Sequence, residues 1–238
     1  MFTIHTLIIS KYSSFVYFFD KIHPMKKYIL FDNDGVLVET ERFYFLATQR
    51  ILSEYDVALS LEYYQTIMPK AITAWHLLLE AGFTQADVDA ARDQRNVYYQ
   101  EYLRSQPLYI DGVESVLKEL SKDYKMAIIT TSRRPDFEII HADRRLTQYM
   151  EFVLCEGEYG RAKPYPDPYL KGIENLKATK HETLIVEDSE RGLTSAVNAQ
   201  IECAIVDNDF TSTHDFSKAT HRIKTLAELP ALLHRSGI

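Results

Sequence analysis

The stretch KYILFDNDGVL, Lys27–Leu37, runs four apolar or aromatic residues, Tyr28–Phe31, directly into two carboxylates, Asp32 and Asp34, and then a glycine. A short apolar run closed by turn residues is the pattern of a strand buried on both faces. Residues two apart on an extended chain share a face, so a strand that ends here sets two like charges side by side. Such a pair repels, and one carboxyl group rises in pKa unless a cation neutralises it. A magnesium ion, which takes carboxylate and carbonyl oxygens, is the economical neutraliser. Asp-Asn-Asp-Gly is also ordinary turn chemistry, so the pair gains meaning only from what the rest of the chain brings to it.

Working outward, the same kind of apolar run recurs at Met126–Ile129, Thr183–Val186 and Ala204–Val206, with Phe152–Leu154 a weaker fifth. Helical stripes lie between them. Val113, Val116, Leu117 and Leu120 follow a 3-4 spacing, and Pro168–Leu176 and Gly192–Ala199 also pattern as helix. Strand alternating with helix implies parallel strands joined by right-handed crossovers. The fold class expected is therefore α/β, a doubly wound, Rossmann-like parallel sheet. Residues 41–106 break the rhythm: they contain no convincing strand, and 41–57 and 87–105 pattern as amphipathic helices. The expected organisation is an extension over 1–24, an α/β core from 25–40 and 107–238, and a helical cap over 41–106. An insert placed just after the first strand sits above the carboxyl ends of the strands, where open α/β sheets bind ligands.

Bulk properties narrow the function. The chain has 238 residues and a formal net charge of −7, which argues against nucleic acid or an anionic membrane surface as partner. Cys155 and Cys203 form no CxxC pair, so reduced, buried thiols and a cytoplasmic location are expected. The first 24 residues are apolar and aromatic but are interrupted by Lys11 and serines, and they lack a basic start and a small-residue cleavage site. Met25 opens the first strand, so 1–24 is expected to be an extension or a mis-assigned start.

Three further strand ends carry chemistry. MAIITTSRR ends its strand at Thr130, with Thr131 and Ser132 next. A hydroxyl and main-chain N–H groups at a strand-to-helix turn grip a phosphate, although they equally cap a helix. GRAKPYPDPY sets Lys163 among Pro164, Pro166 and Pro168, which stiffen the segment around the ammonium. TLIVEDSERG ends another strand in Glu187 and Asp188, acids that suit a metal or, more blandly, a helix N-terminus.

Two acids, a hydroxyl, a lysine and two more acids, each at a strand end, form a combined pattern that resembles the haloacid dehalogenase (HAD) superfamily. The likeness is to its phosphatase and β-phosphoglucomutase-like branch with a helical cap, and it runs from about Tyr28 to Leu233. It implies that Asp32 is the nucleophile that forms an aspartyl-phosphate and that Asp34 is the general acid and base. The second aspartate is absent from the dehalogenases, so its presence points to phosphoryl transfer. The resemblance also implies that Thr130, with the Thr131 backbone, binds phosphate, and that Lys163 offsets charge. Asp32, the Asp34 carbonyl and Asp188 would hold Mg2+, with Glu187 acting through water. The expected activity is a Mg2+-dependent phosphatase acting on a small phosphorylated metabolite, as a monomer.

Specificity is expected from the cap loop TIMPKAITAWHLLL, Thr66–Leu79. Mutases of this branch place an arginine there to hold a second phosphate. This chain has Ile72 nearby and only Lys70 as a partial substitute, which lowers the mutase alternative. A non-catalytic module of the same fold is the other alternative; it would not need all of Asp32, Asp34, Lys163 and Asp188. Trp75 and His76 pattern as core residues. Arg133, Arg134 and Arg161 pattern as solvated cations, and DNDF, Asp207–Phe210, as a loop.

Overall fold

The computed structural model describes residues 25–235; the expectation for 1–24 lies outside the described residues. Six parallel strands form one sheet in the order β3-β2-β1-β4-β5-β6. They are β1 (Tyr28–Phe31), β2 (Lys125–Ile129), β3 (Phe152–Leu154), β4 (Thr183–Glu187), β5 (Glu202–Val206) and β6 (His221–Ile223). The five expected strands are present and the sheet is doubly wound. The edge strand β6 is an addition, because its three residues, His-Arg-Ile, bury only Ile223 and present no apolar run.

The core follows from the pleat. Ile29 and Phe31 of β1 point to one face with Met126, Ile128, Leu184 and Val186. They pack there against Val113, Val116 and Leu117 of α5 (Val113–Leu120), Phe137 and Ile140 of α6 (Arg134–His141), and Leu229 and Leu233 of the last helix (Leu229–Arg235). Leu30, Ala127, Ile129 and Ile185 point to the other face. Tyr169 and Ile173 of α7 (Asp167–Leu176) and Leu193 and Ala196 of α8 (Glu190–Ala199) cover it. At Gly172 a Cβ would lie 3.0 Å from Leu30 Cδ1, a tight contact that glycine spares.

Residues 41–105 contain four helices where two are expected: α1 (Glu41–Glu54), α2 (Leu61–Ile67), α3 (His76–Glu80) and α4 (Gln85–Ser105). The short α2 and α3, of 7 and 5 residues, fall below the length at which a 3.6-residue period can be seen. Ser60 caps α2, and Thr84 with Asp87 forms a capping box that starts α4. These helices share their own core of Phe45, Ile51, Leu52, Trp75, Leu78 and Ala91, so Trp75 is a packing residue, as expected. Arg95, 5% exposed, lies over the Tyr44 ring at 4.0 Å. Among the described residues no helix is long and apolar enough to cross a membrane.

Register sets the site. Phe31 is level with Ile128 on one side and with Val186 on the other. Asp32 and Glu187 come next on β1 and β4, and Thr130 follows Ile129 at the end of β2, so the three emerge together at the middle of the sheet. Ile128 is fully buried beneath them. Ile128→Ala is expected to lower unfolding stability by about 2–5 kcal/mol, read as a reduced denaturant midpoint at unchanged slope.

Candidate active site

Lys163, 4% exposed, spends its ammonium on three acceptors. It donates to Asp32 Oδ1 at 2.6 Å, Glu187 Oε1 at 2.7 Å and the Ile129 carbonyl at 3.1 Å. Burial pulls its pKa down, but the Asp32 and Glu187 carboxylates more than reverse this and hold it above the usual lysine range. Glu187 is fully engaged. Oε1 also accepts from Tyr169 Oη at 2.6 Å, and Oε2 accepts from the Asp188 and Ser189 N–H groups and from Ser189 Oγ. Burial pushes Glu187 up, yet Lys163, Tyr169 and Ser189 keep it below the ordinary carboxylate value.

Asp32 and Asp188 are less well served. Burial pushes Asp32 to about 7 against the pull of Lys163, with Glu187 and Asp34 adding to the rise. Asp188, 4% exposed, accepts no side-chain hydrogen bond among the described residues. Its pKa is driven well up by burial, then by Glu187 and Asp32. Ligand atoms of Asp32, Glu187 and Asp188 lie within 4.8 Å of one another. One ammonium thus faces three carboxylates, all of them oxygen donors. That donor set fits a hard divalent cation such as Mg2+. The backbone leaves room: Gly35 has φ +79°, and a Cβ there would lie 2.0 Å from Asp188 Oδ2.

Asp34 turns away from this cluster. Its carboxylate accepts from Thr130 Oγ1 at 3.0 Å, Ser132 Oγ at 2.7 Å, Asn33 Nδ2 at 3.3 Å, and Thr40 Oγ1. The two aspartates that begin side by side in sequence are therefore held apart, one by an ammonium and the other by hydroxyls. Thr130, fully buried, also accepts from the Ser132 N–H at 3.0 Å. Thr131 Oγ1 accepts from Arg191 at 3.4 Å. Asp32, Asp34, Thr130, Thr131, Lys163, Glu187 and Asp188 thus converge. Lys70 does not join them: it is exposed on the turn after α2, without a side-chain hydrogen bond or ion pair among the described residues.

Several members are invisible to motif reasoning. Arg191 stands inside the TLIVEDSERG stretch, where a helix-start arginine carries no special signal. Here it lies in the field of Glu41, Asp32 and Glu187, which hold it up against burial. Burial pushes Glu41 to about 7 against Arg191, and Tyr64 Oη donates to it at 3.1 Å. Arg133, Arg134 and Arg161 keep much of their surface in solvent, as expected, and each is also ion-paired, to Asp136, Glu158 and Asp167 respectively. Of the DNDF segment, Asp207 and Asn208 are loop, as expected, but Asp209 and Phe210 begin a 3-10 turn, Asp209–Thr211, and the segment braces the site. Asn208 Nδ2 donates to the Gly35 carbonyl at 3.3 Å, and the following Thr211 Oγ1 donates to the Asp188 carbonyl at 2.7 Å.

Two outcomes follow from this packing. A Cβ at Gly192 would fall 1.8 Å from Glu187 Oε1. Gly192→Ala is expected to break the Lys163–Glu187 pair and to lower stability by about 3–5 kcal/mol, measured by denaturant titration. His141, on the last turn of α6, is pulled by burial from 6.5 to about 4, against Asp34. The unfolded chain therefore takes up this proton first as pH falls. The stability contribution is complete above about 6.5 and is lost on the way down to about 4, on the order of 3 kcal/mol in all. His141→Gln should make the stability–pH slope shallower in that window.

Residues 29–206 match the family described as haloacid dehalogenase-like hydrolase. The chain is 28% identical over 182 residues to a phosphorylated carbohydrates phosphatase of Thermotoga maritima, covering 73% of this chain and 82% of the relative. It is 28% identical to the protein CbbY of Rhodobacter capsulatus, covering 84% and 94%. In fold it is similar to β-phosphoglucomutase of Clostridium difficile, with a TM-score of 0.74 at 18% identity over 90% of this chain and 97% of that one. With a family match that spans most of the α/β sheet and its strand-tip acids, the chain belongs to the haloacid dehalogenase-like hydrolases.

Proposed function

We propose that the protein is a phosphatase that hydrolyses a small phosphorylated metabolite, a sugar phosphate being the favoured class, through an aspartyl-phosphate on Asp32. The observation that carries this reading is the single ammonium of Lys163 shared between Asp32 and Glu187 beside Asp188, a carboxylate without a donor among the described residues. A buried acid cluster of this kind has no packing rationale, whereas it suits a dianionic phosphoryl group brought in with a cation. The relative from Thermotoga maritima, a phosphatase of phosphorylated carbohydrates, supports the substrate class.

In this reading an Asp32 carboxylate oxygen attacks phosphorus as the bond to the leaving oxygen breaks, and Asp34, entering protonated, passes its proton to that oxygen. Asp34, now a carboxylate, takes a proton from a water that attacks the phosphorus of the aspartyl-phosphate. Inorganic phosphate leaves and Asp32 is regenerated. Lys163, exchanging one of its three acceptors for a phosphoryl oxygen, and the Thr130–Thr131 turn hold the phosphoryl group, and Glu187 keeps Lys163 aimed. Asp32, Asp188 and the Asp34 carbonyl are the residues that would hold Mg2+, with Glu187 at one remove. When bound, the ion supplies positive charge to the phosphoryl oxygens. Residues 41–106 act as the cap over the 25–40 and 107–235 core and exclude water from the strand tips. A mutase must hold a second phosphate, and exposed Lys70 is a poor candidate for that task.

The test is turnover of 4-nitrophenyl phosphate with Mg2+, with chelator, and in Asp32→Asn. Mg2+-dependent release that falls by about 10³-fold or more in Asp32→Asn is expected. Folded wild-type protein that fails to turn over this probe and a sugar-phosphate panel, with Mg2+ present, would sink the reading.

A further inference from the structure

Glu41 and Arg191 come from different parts of the chain, the start of α1 and the first turn of α8, and neither is fully matched. Glu41 directly follows Thr40, whose hydroxyl donates to Asp34. Its Oε1 accepts from Tyr64 Oη at 3.1 Å, and its Oε2 accepts nothing among the described residues. Arg191 donates from Nη2 to Thr131 Oγ1 at 3.4 Å, a long bond, and its Nε and Nη1 have no acceptor among the described residues. Each is the charge that acts most strongly on the other, yet the two make no ion pair. Both side chains are half-buried. The polar side-chain atoms that are both sealed and unpartnered among the described residues belong to His141, His214 and His221. The open atoms of Glu41 and Arg191 therefore reach space that a small molecule can enter.

We propose that Glu41 and Arg191 are specificity-determining residues that clamp a hydroxyl of the leaving group, so that the preferred substrate is a phosphorylated polyol or sugar with a hydroxyl close to the phosphorylated carbon. The inference rests on the phosphatase reading above. Its placement follows from the neighbours. Glu41 is joined through Thr40 to Asp34, and Arg191 is joined to the phosphate turn at Thr131. The gap between them thus lies beside the leaving oxygen and not at the far end of the substrate. Its chemistry is selective. A second anionic group is attracted by Arg191 but repelled by Glu41, and a cation meets the converse conflict. An apolar group leaves both charges unmatched in a site closed to water, which is costly. A hydroxyl donates and accepts, so it serves the Glu41 carboxyl in either protonation state as well as the guanidinium, which only donates. Tyr64 of α2, 6% exposed, fixes the other oxygen of Glu41, so the clamp also reads how the cap helices sit on the core.

The test is the ratio of kcat/KM on glycerol 3-phosphate to that on n-propyl phosphate, which lacks its hydroxyls, measured on the full chain with Mg2+. A wild-type ratio of about 10 to 100 is expected, the range for a hydroxyl held by charged groups. Arg191→Met and Glu41→Leu should each lower that ratio by about 10-fold. Glu41→Gln, which keeps a hydrogen-bonding group in place, should retain more of it than Glu41→Leu. Where Arg191→Met or Glu41→Leu does not fold, Arg191→Lys or Glu41→Gln is measured in its place, with a smaller fall in the same direction expected. A wild-type ratio near one, variants that slow both esters equally, or turnover of 4-nitrophenyl phosphate but of neither three-carbon ester would overturn the clamp and leave the phosphatase intact. A wild type that prefers 3-phosphoglycerate to glycerol 3-phosphate would overturn it too, by making the gap an anion site. A wild type inert to all of these esters and to the sugar-phosphate panel would overturn the phosphatase reading and this one with it.

Discussion

The Lys163 ammonium, buried between Asp32 and Glu187, is the interaction on which the rest of the site depends. Taking these charges out of water is expensive, and attraction repays it only when every donor and acceptor is matched. The matching is complete on the lysine, with its third acceptor the Ile129 carbonyl, and on Glu187, which accepts from Tyr169 and from the start of α8. It is incomplete on Asp32 and Asp188. The imbalance makes the cluster receptive to positive charge, and the same imbalance drives the Asp188 carboxyl upward. Stability and chemistry pull against each other at one point, as they do wherever buried charge is kept for function.

Much of this is legible in the sequence, for identifiable reasons. Strands β1, β2, β4 and β5 are buried on both faces, so each leaves an unbroken apolar run, and the acids or hydroxyls that end three of them stand out against it. Lys163 is legible from its proline frame. The same logic shows why other parts are hidden. β6 is a three-residue edge strand, and α2 and α3 are shorter than two helical turns. Arg191 and His141 act through contacts made across long stretches of chain, and local pattern carries no trace of such contacts. His141, for example, meets Asn33 across 108 residues. Arg133 and Arg134 show the converse: cations beside a phosphate motif suggest anion binding, but Asp136 and Glu158 already hold them.

The separate fates of Asp32 and Asp34 resolve the like-charge conflict without placing both acids on one cation. Asp32 is met by an ammonium, and Asp34 by hydroxyls that change polarity by rotation. A residue that must gain and lose a proton is better surrounded by groups of the second kind, because a fixed ammonium would favour one protonation state throughout.

The parallel register of β1 with both β2 and β4 has a consequence for how the protein is made. Tyr28–Phe31 leaves the ribosome long before its two neighbours, Lys125–Ile129 and Thr183–Glu187. Parallel pairing over such separations closes large loops and is intrinsically slow. Until β4 arrives, Asp32 lacks Glu187 and Asp188 beside it. The acid cluster therefore comes into being only when the topology is essentially complete. A growing or truncated chain that ends before Thr183 holds the first aspartates but no acid cluster, which keeps the site from preceding the fold.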